Sequence, residues 1–157
     1  MAHDIFIKIN GIDGESQDLT HRDEIEVLGW NWSASQQSRT RSCSGSVAKV
    51  SASALSFTHM IDTASPNLAS YCFQGRHVPN VVLTMRKAGD IPLEYLKITM
   101  FDVIVTHVEL AAGAGLALEH VALSFVQMKK EYAVQSPIGV SQGAVTALID
   151  VKRNSVS

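Results

Sequence analysis

The sequence predicts a mainly β protein: an antiparallel β-barrel of two packed sheets, with one short flanking α-helix and an extended loop. Three observations carry that prediction. The segment from Glu24 to Trp32 alternates as a strand does and places Trp30 and Trp32 two residues apart, so both rings fall on one face. A polar, irregular stretch from Ser38 to Ser46 follows, and the chain then resumes as a strand. Helical periodicity is confined to one short segment, whereas strand-like runs separated by turn residues recur along the rest.

The elements follow in order. Ile5, Ile7 and Ile9 alternate with Phe6 and Lys8 and open the chain on a strand. Asn10-Gly11 and Asp13-Gly14 are turn dipeptides. A second strand spans about Ile25 to Gln36. Its apolar phase shifts between Val27 and Leu28, which places a bulge or bend near Leu28–Gly29. The return strand runs from about Val47 to His59, with Leu55 and Phe57 in the core and Ala48, Val50, Ala52 and Ala54 on the opposite face.

Ser65 is the predicted N-cap of the helix and Pro66 its first residue, where a missing N–H costs nothing. Leu68, Ala69, Cys72 and Phe73 recur at helical spacing, and Gly75 ends the run. A helix this short must pack on a sheet to persist. Val81, Leu83 and Met85 make the next strand, closed by Ala88-Gly89-Asp90. Leu96 to Leu110 is a long strand whose apolar phase moves from Leu96, Ile98 and Met100 to Phe101, Val103 and Val105. Ala111 to Gly115 is a small-residue turn. Leu118 to Tyr132 is a further strand, Pro137-Ile138-Gly139 a break, and Val145 to Lys152 the last strand.

Composition narrows the function. A chain of 157 residues reads as a single domain over 1–157, large enough for a core without disulfides or metal. Charged residues make up 18%, below the usual ~25%, and the mean hydropathy is +0.10. With no apolar run of ~18 residues, that balance points to a surface covered by a partner and not to a membrane span. A net charge of −2 argues against nucleic acid, which selects a basic patch. Cys43 and Cys72 fit neither a disulfide scaffold nor a zinc spacing, and Cys72 reads as a small buried hydrophobe in the helix. The first residues lack a basic segment followed by an apolar one, so no Sec-type signal peptide is expected.

Catalytic motifs are sparse. The six histidines show no HxxH or HExxH spacing, and each reads as structural. No G-x-S-x-G turn or glycine-rich phosphate loop is present. Asp23, Glu24 and Glu26 read as a solvated edge, and the sequon Asn31-Trp32-Ser33 falls inside a strand. No catalytic residue, cofactor or metal is assigned. A β-sandwich hydrolase, or a ligand-binding module, with a site assembled in space is the alternative.

A series of segments carries a resemblance: Asp4 to Ile9, Gly14-Glu15-Ser16, His21 with Glu24-Ile25, Val27-Leu28, Trp30 and Trp32, then Leu55 to Thr58, Ile61-Asp62 and Ser65 to Leu68. Gly75, His77 and Pro79 follow, then Leu83-Thr84, Arg86 to Gly89, and Glu119, Val121, Leu123 and Phe125. The chain thus resembles the haemolysin-coregulated protein (Hcp) family, the tube subunits of the bacterial type VI secretion system, from about Asp4 to Tyr132. The tail beyond Ser136 matches poorly.

The resemblance implies a β-barrel subunit that forms a homohexameric ring. Rings stack into a hollow tube, which a contractile sheath drives outward behind a trimeric spike protein. Small secreted effectors ride in the lumen. It implies a protein made in the bacterial cytoplasm and then secreted. In that tube, Asn31 and Ser33, opposite the tryptophans, are the expected lumen and effector contacts. The loop carrying Arg39, Arg41 and Cys43, often glycine-rich in the family, is the expected ring-stacking contact.

Overall fold

The computed structural model describes residues 3–36, 50–88, 93–135, 141–153 and 155–157. In chain order the elements are β1 (His3–Ile9), β2 (Ile25–Glu26), β3 (Gly29–Asn31), β4 (Ala34–Gln36), β5 (Val50–Ala52), β6 (Leu55–Met60), α1 (Ser65–Gln74), β7 (His77–Lys87), β8 (Leu93–Gly113), β9 (Leu116–Ser124), β10 (Gln127–Gln135), β11 (Ser141–Asp150) and β12 (Ser155–Val156). Every pairing among them is antiparallel.

The two packed sheets of the prediction are one ten-stranded sheet that divides at β8. One edge of β8 pairs with β7 along most of that strand. On the other edge, Leu96–Phe101 pairs with β10, and Ile104–Gly113 pairs with β9. The exchange happens at Asp102, which sits in the left-handed region at φ 53°, while the register against β7 runs on unbroken from Phe101 to Val103, so both strands change face together. The predicted phase shift sits here: Ile98 and Met100 are buried before Asp102, Val103 and Val105 after it. Phe101, read from sequence as part of the second phase, is half-buried opposite Asn80, ahead of the change of face.

A second exchange curls the sheet round. Val27 N–H donates to the Ile5 carbonyl (2.9 Å), and Leu28 N–H donates to the Thr58 carbonyl (2.8 Å). Residues 25–31 therefore leave β1 and join β6 at the predicted bend. The expected barrel is not closed by one continuous ladder, because β2 pairs with β1 and β3 with β6. The long strand read from Ile25 to Gln36 is thus three short ones. The third, β4, forms a separate two-stranded ladder with β5. The extended loop expected between them falls in residues 37–49, outside the described residues.

The core is the inward face of this coil. Ile7, Ile25, Leu55, Leu83, Ile98, Met100, Leu123 and Met128 are fully buried, and Phe57 nearly so. Each such side chain contributes about 1.5–3 kcal/mol by leaving water. Helix α1 packs on β8 through Leu68. Its cap is Ala64, and Ser65 is the first helical residue instead of the expected N-cap. The capping work moves one turn back: Asp62 Oδ1 accepts from Ala64 N–H at 2.8 Å, and Ser65 Oγ accepts from Asp62 N–H at 3.1 Å. Gly75, at φ 58°, closes the helix as predicted. Phe73, expected to repeat the apolar stripe, is 94% exposed, because it lies off the face that meets β8.

Candidate assembly and cargo surface

Strands β3, β6, β9 and the second half of β8 form a four-stranded wall with two unlike faces. Register fixes which residues share a face, since cross-strand partners point the same way. The inward row Trp30–Phe57–Val121–Val108 packs into the core. The next row outward is Asn31–Ser56–Ala122–His107, followed by Gly29–Thr58–His120–Glu109. Asn31, His107 and Glu109 are exposed. Thr58 Oγ1 and His120 Nδ1 are hydrogen-bonded at 2.8 Å, and His107 Nε2 lies 3.5 Å from Glu109 Oε2. This face is polar but carries a single carboxylate and no lysine or arginine in the two rows, so it suits a neutral protein surface better than a polyelectrolyte.

The sequence-predicted residues divide accordingly. Asn31 lies on this outward face, and Ser33 is exposed just beyond it, where its N–H donates to Ser53 Oγ (3.0 Å) at the base of the β4–β5 ladder. Arg39, Arg41 and Cys43 lie outside the described residues, as does Ala48. Trp30 and Trp32 are half-buried against the core. Trp30 Nε1–H donates to Met85 Sδ (3.3 Å), and Lys130 Nζ sits 4.8 Å from the centre of the Trp32 ring. Cys72 is half-buried on α1 against the core. His107 and His120 escaped the sequence reading. Alternation gives each a face within its strand, but only register joins them to Asn31.

Beneath this wall lies a buried charge cluster. His59 and Glu119 are cross-strand neighbours, both fully buried, with Nε2 and Oε1 2.7 Å apart. Asp62 Oδ1 stands 3.8 Å from His59 Nδ1, an ion-pair distance too long for a hydrogen bond. Burial pushes the imidazole pKa down, but the carboxylates of Asp62 and Glu119 overcome it, so the net shift is upward. Sealed from solvent, this dyad cannot meet a substrate, and its chemistry is that of a structural ion pair. Among the described residues no group of three or more His, Cys, Asp or Glu is arranged to hold a metal ion. No helix among them is long and apolar enough to cross a membrane.

A second polar cluster ties down the loop between β1 and β2. Arg86 donates through Nη1 to Asp18 Oδ1 (3.0 Å) and through Nη2 to Asp18 Oδ2 (2.6 Å) and Asp4 Oδ2 (3.0 Å). That fork holds the Asp18 carboxyl well below the usual carboxylate range. His21 bridges Glu24 (2.8 Å) and Glu94 (2.6 Å) and stacks on Phe6 at 4.5 Å. Glu24, read from sequence as part of a solvated edge, is therefore half-buried and engaged. Gly14 makes the loop possible: a Cβ there would lie 2.6 Å from the Glu24 carbonyl oxygen.

Comparison with known proteins agrees with this architecture. The family described as "Type VI secretion system effector, Hcp" matches residues 6–132. Protein hcp1 of Pseudomonas aeruginosa is 42% identical over 147 residues, covering 91% of each chain. The crystal structure of Hcp1 from Salmonella typhimurium is similar at 48% identity and a TM-score of 0.84, over 100% of both chains. That of a type VI secretion system effector from Yersinia pestis gives 43% and 0.80, over 94% of this chain and 100% of the other. The resemblance read from the strand segments and the fold built from them converge, and the chain belongs to the Hcp family of type VI secretion proteins.

Proposed function

We propose that this protein is a structural subunit without catalytic activity: it closes into homohexameric rings, and the rings stack into a hollow tube. The tube works inside a contractile sheath and behind a trimeric spike, and small effectors ride against the face that bears Asn31 and Ser33. The observation that carries this reading is the unlike pair of faces on the β3–β6–β9–β8 wall within an Hcp-family chain. The inward face is core, and the outward face is mild, polar and uncommitted. A hydrolase or small-ligand module is the poorer fit, because the His59–Glu119 dyad has no access to solvent and His21 is taken up between Glu24 and Glu94.

Light scattering coupled to size exclusion tests the ring. The expected mass is about six times 17.0 kDa, with a central hole in electron micrographs. A monomer at micromolar concentration that hydrolyses a substrate would overturn the reading. For the stacking loop, Arg39→Glu with Arg41→Glu is expected to keep the ring and lose the tube. Exposed ion pairs contribute only ~0–1 kcal/mol each, but a ring presents its copies together.

A further inference from the structure

The loop between β1 and β2 ends in an anomaly. Leu19 is 99% exposed, yet the residues around it are held with unusual care. Asp18 is gripped by both arms of Arg86, Thr20 Oγ1 accepts from the same guanidinium (3.3 Å), and His21 is fixed between two carboxylates. A loop that merely connected two strands would need none of this. A clamped loop presenting a bare leucine is a preorganised contact, because little ordering entropy is left to lose on docking.

A receptor for it lies across the sheet. The β4–β5 ladder and the β11–β12 hairpin enclose an apolar cleft of about 170 Å³, lined by Trp32, Ala34, Val50, Ala52, Ile149 and Val156. Val50 and Val156, at its lips, are 45% and 71% exposed. In the strand order, β1 and β2 stand at one end and β11 and β12 at the other. Charge matches as well. The loop over 10–24 carries Asp13, Glu15, Asp18, Asp23 and Glu24 against Arg22, whereas the turn beside the cleft carries Lys152 and Arg153. Asp150 is engaged there by Gln127 Nε2 (3.0 Å), Arg153 N–H (2.8 Å) and Arg153 Nε (4.0 Å), as Asp18 and Glu24 are by Arg86 and His21, so the match rests on Asp13, Glu15 and Asp23 against Lys152.

The geometry points to a head-to-tail contact: the Leu19 loop of one copy seats in the cleft between β4–β5 and β11–β12 of the next. It rests on the self-assembly reading above and adds which two surfaces meet. Knob and hole are different patches, so the contact is heterologous and closes into a ring when the rotation between copies permits.

Leu19→Asp removes the knob and Val156→Asp spoils the hole; both positions are exposed, so both variants are expected to keep the wild-type melting temperature. Each alone is expected to lose the ring and run near 17.0 kDa. Mixed in equal amounts, they retain one intact contact per pair and are expected to give a 1:1 dimer. A Leu19→Cys, Val156→Cys variant, with Cys43→Ser and Cys72→Ser, is expected to give a ladder of oxidised oligomers that reductant collapses. Wild-type rings from both single variants, or rings lost with Phe73→Ser but kept with Leu19→Asp, would overturn the pairing while leaving self-assembly standing. A monomeric wild type would instead overturn the assembly reading itself.

Discussion

The two faces of the β3–β6–β9–β8 wall are made by the same strands at the same spacing, yet they obey different constraints. The inward face is large and apolar, with Phe57, Val121 and Leu123 shut off from water, and it encloses a charge pair that must be complete to be tolerated. The outward face holds Asn31, Ser56, Ala122 and His120, small or polar groups that are exposed or half-buried and lie outside the core. The inward side chains are set by the fold. The outward ones are free of that demand, so their chemistry is available to whatever passes or binds there.

Truncation should separate the faces most sharply. Phe57→Ala is expected to cost ~3–5 kcal/mol by chemical denaturation, a large share of the ~5–15 kcal/mol typical of a domain. A loss under 1 kcal/mol would show that the inward face is not the core. Trp32→Ala is expected to cost less, about 2–3 kcal/mol, because the ring is only half-buried, and to disturb assembly through the cleft that Trp32 lines.

The buried pair gives a pH signature. The folded-state pKa of His59 lies above its ordinary value of 6.5, so its contribution to stability is complete below 6.5 and is lost as pH rises through the folded value. Denaturation at about pH 6 and about pH 9 is expected to show the higher pH less stable on this account. Glu119→Gln is expected to shrink the difference, since a neutral amide no longer favours the imidazolium. A variant with the wild-type pH slope would remove His59 as its source.

The smallest expected effect on stability carries the functional side of the comparison. Asn31→Gln is expected to change unfolding free energy by no more than ~0.5 kcal/mol, as an exposed substitution, and to leave the ring intact. Co-purification of a cognate effector is expected to fall. Unchanged retention would move the cargo contact elsewhere.

Much of this was legible in the sequence, and the gaps have physical causes. The phase shift after Met100 announced an irregularity, but not that β8 changes partner there, because alternation reports one strand's faces and says nothing of its neighbours. Similarly, the slip at Val27–Leu28 located the bend without revealing a transfer from β1 to β6. Ser65 carries the usual signature of an N-cap, and Asp62 took over that role through a bond no local rule singles out. The His59–Glu119 pair and the alignment of His107 and His120 with Asn31 depend on register between strands some sixty residues apart. Leu19 and Phe73 look like ordinary hydrophobes in the sequence. Only the fold shows that neither is covered.

Strand β8 has a mechanical consequence. Of its 21 residues, Leu93–Ile104 lie in the ladder with β7, Leu96–Phe101 of them are bonded on the other edge to β10, and Ile104–Gly113 pair with β9. A force applied along such a strand cannot peel one hydrogen bond at a time. Over Leu96–Phe101 it must shear ladders on both edges together, and the rupture load then scales with the number of bonds sharing it. A particle pushed from behind at speed would transmit thrust through this strand while its thinner parts, β2, β3 and the β4–β5 ladder, take up the strain.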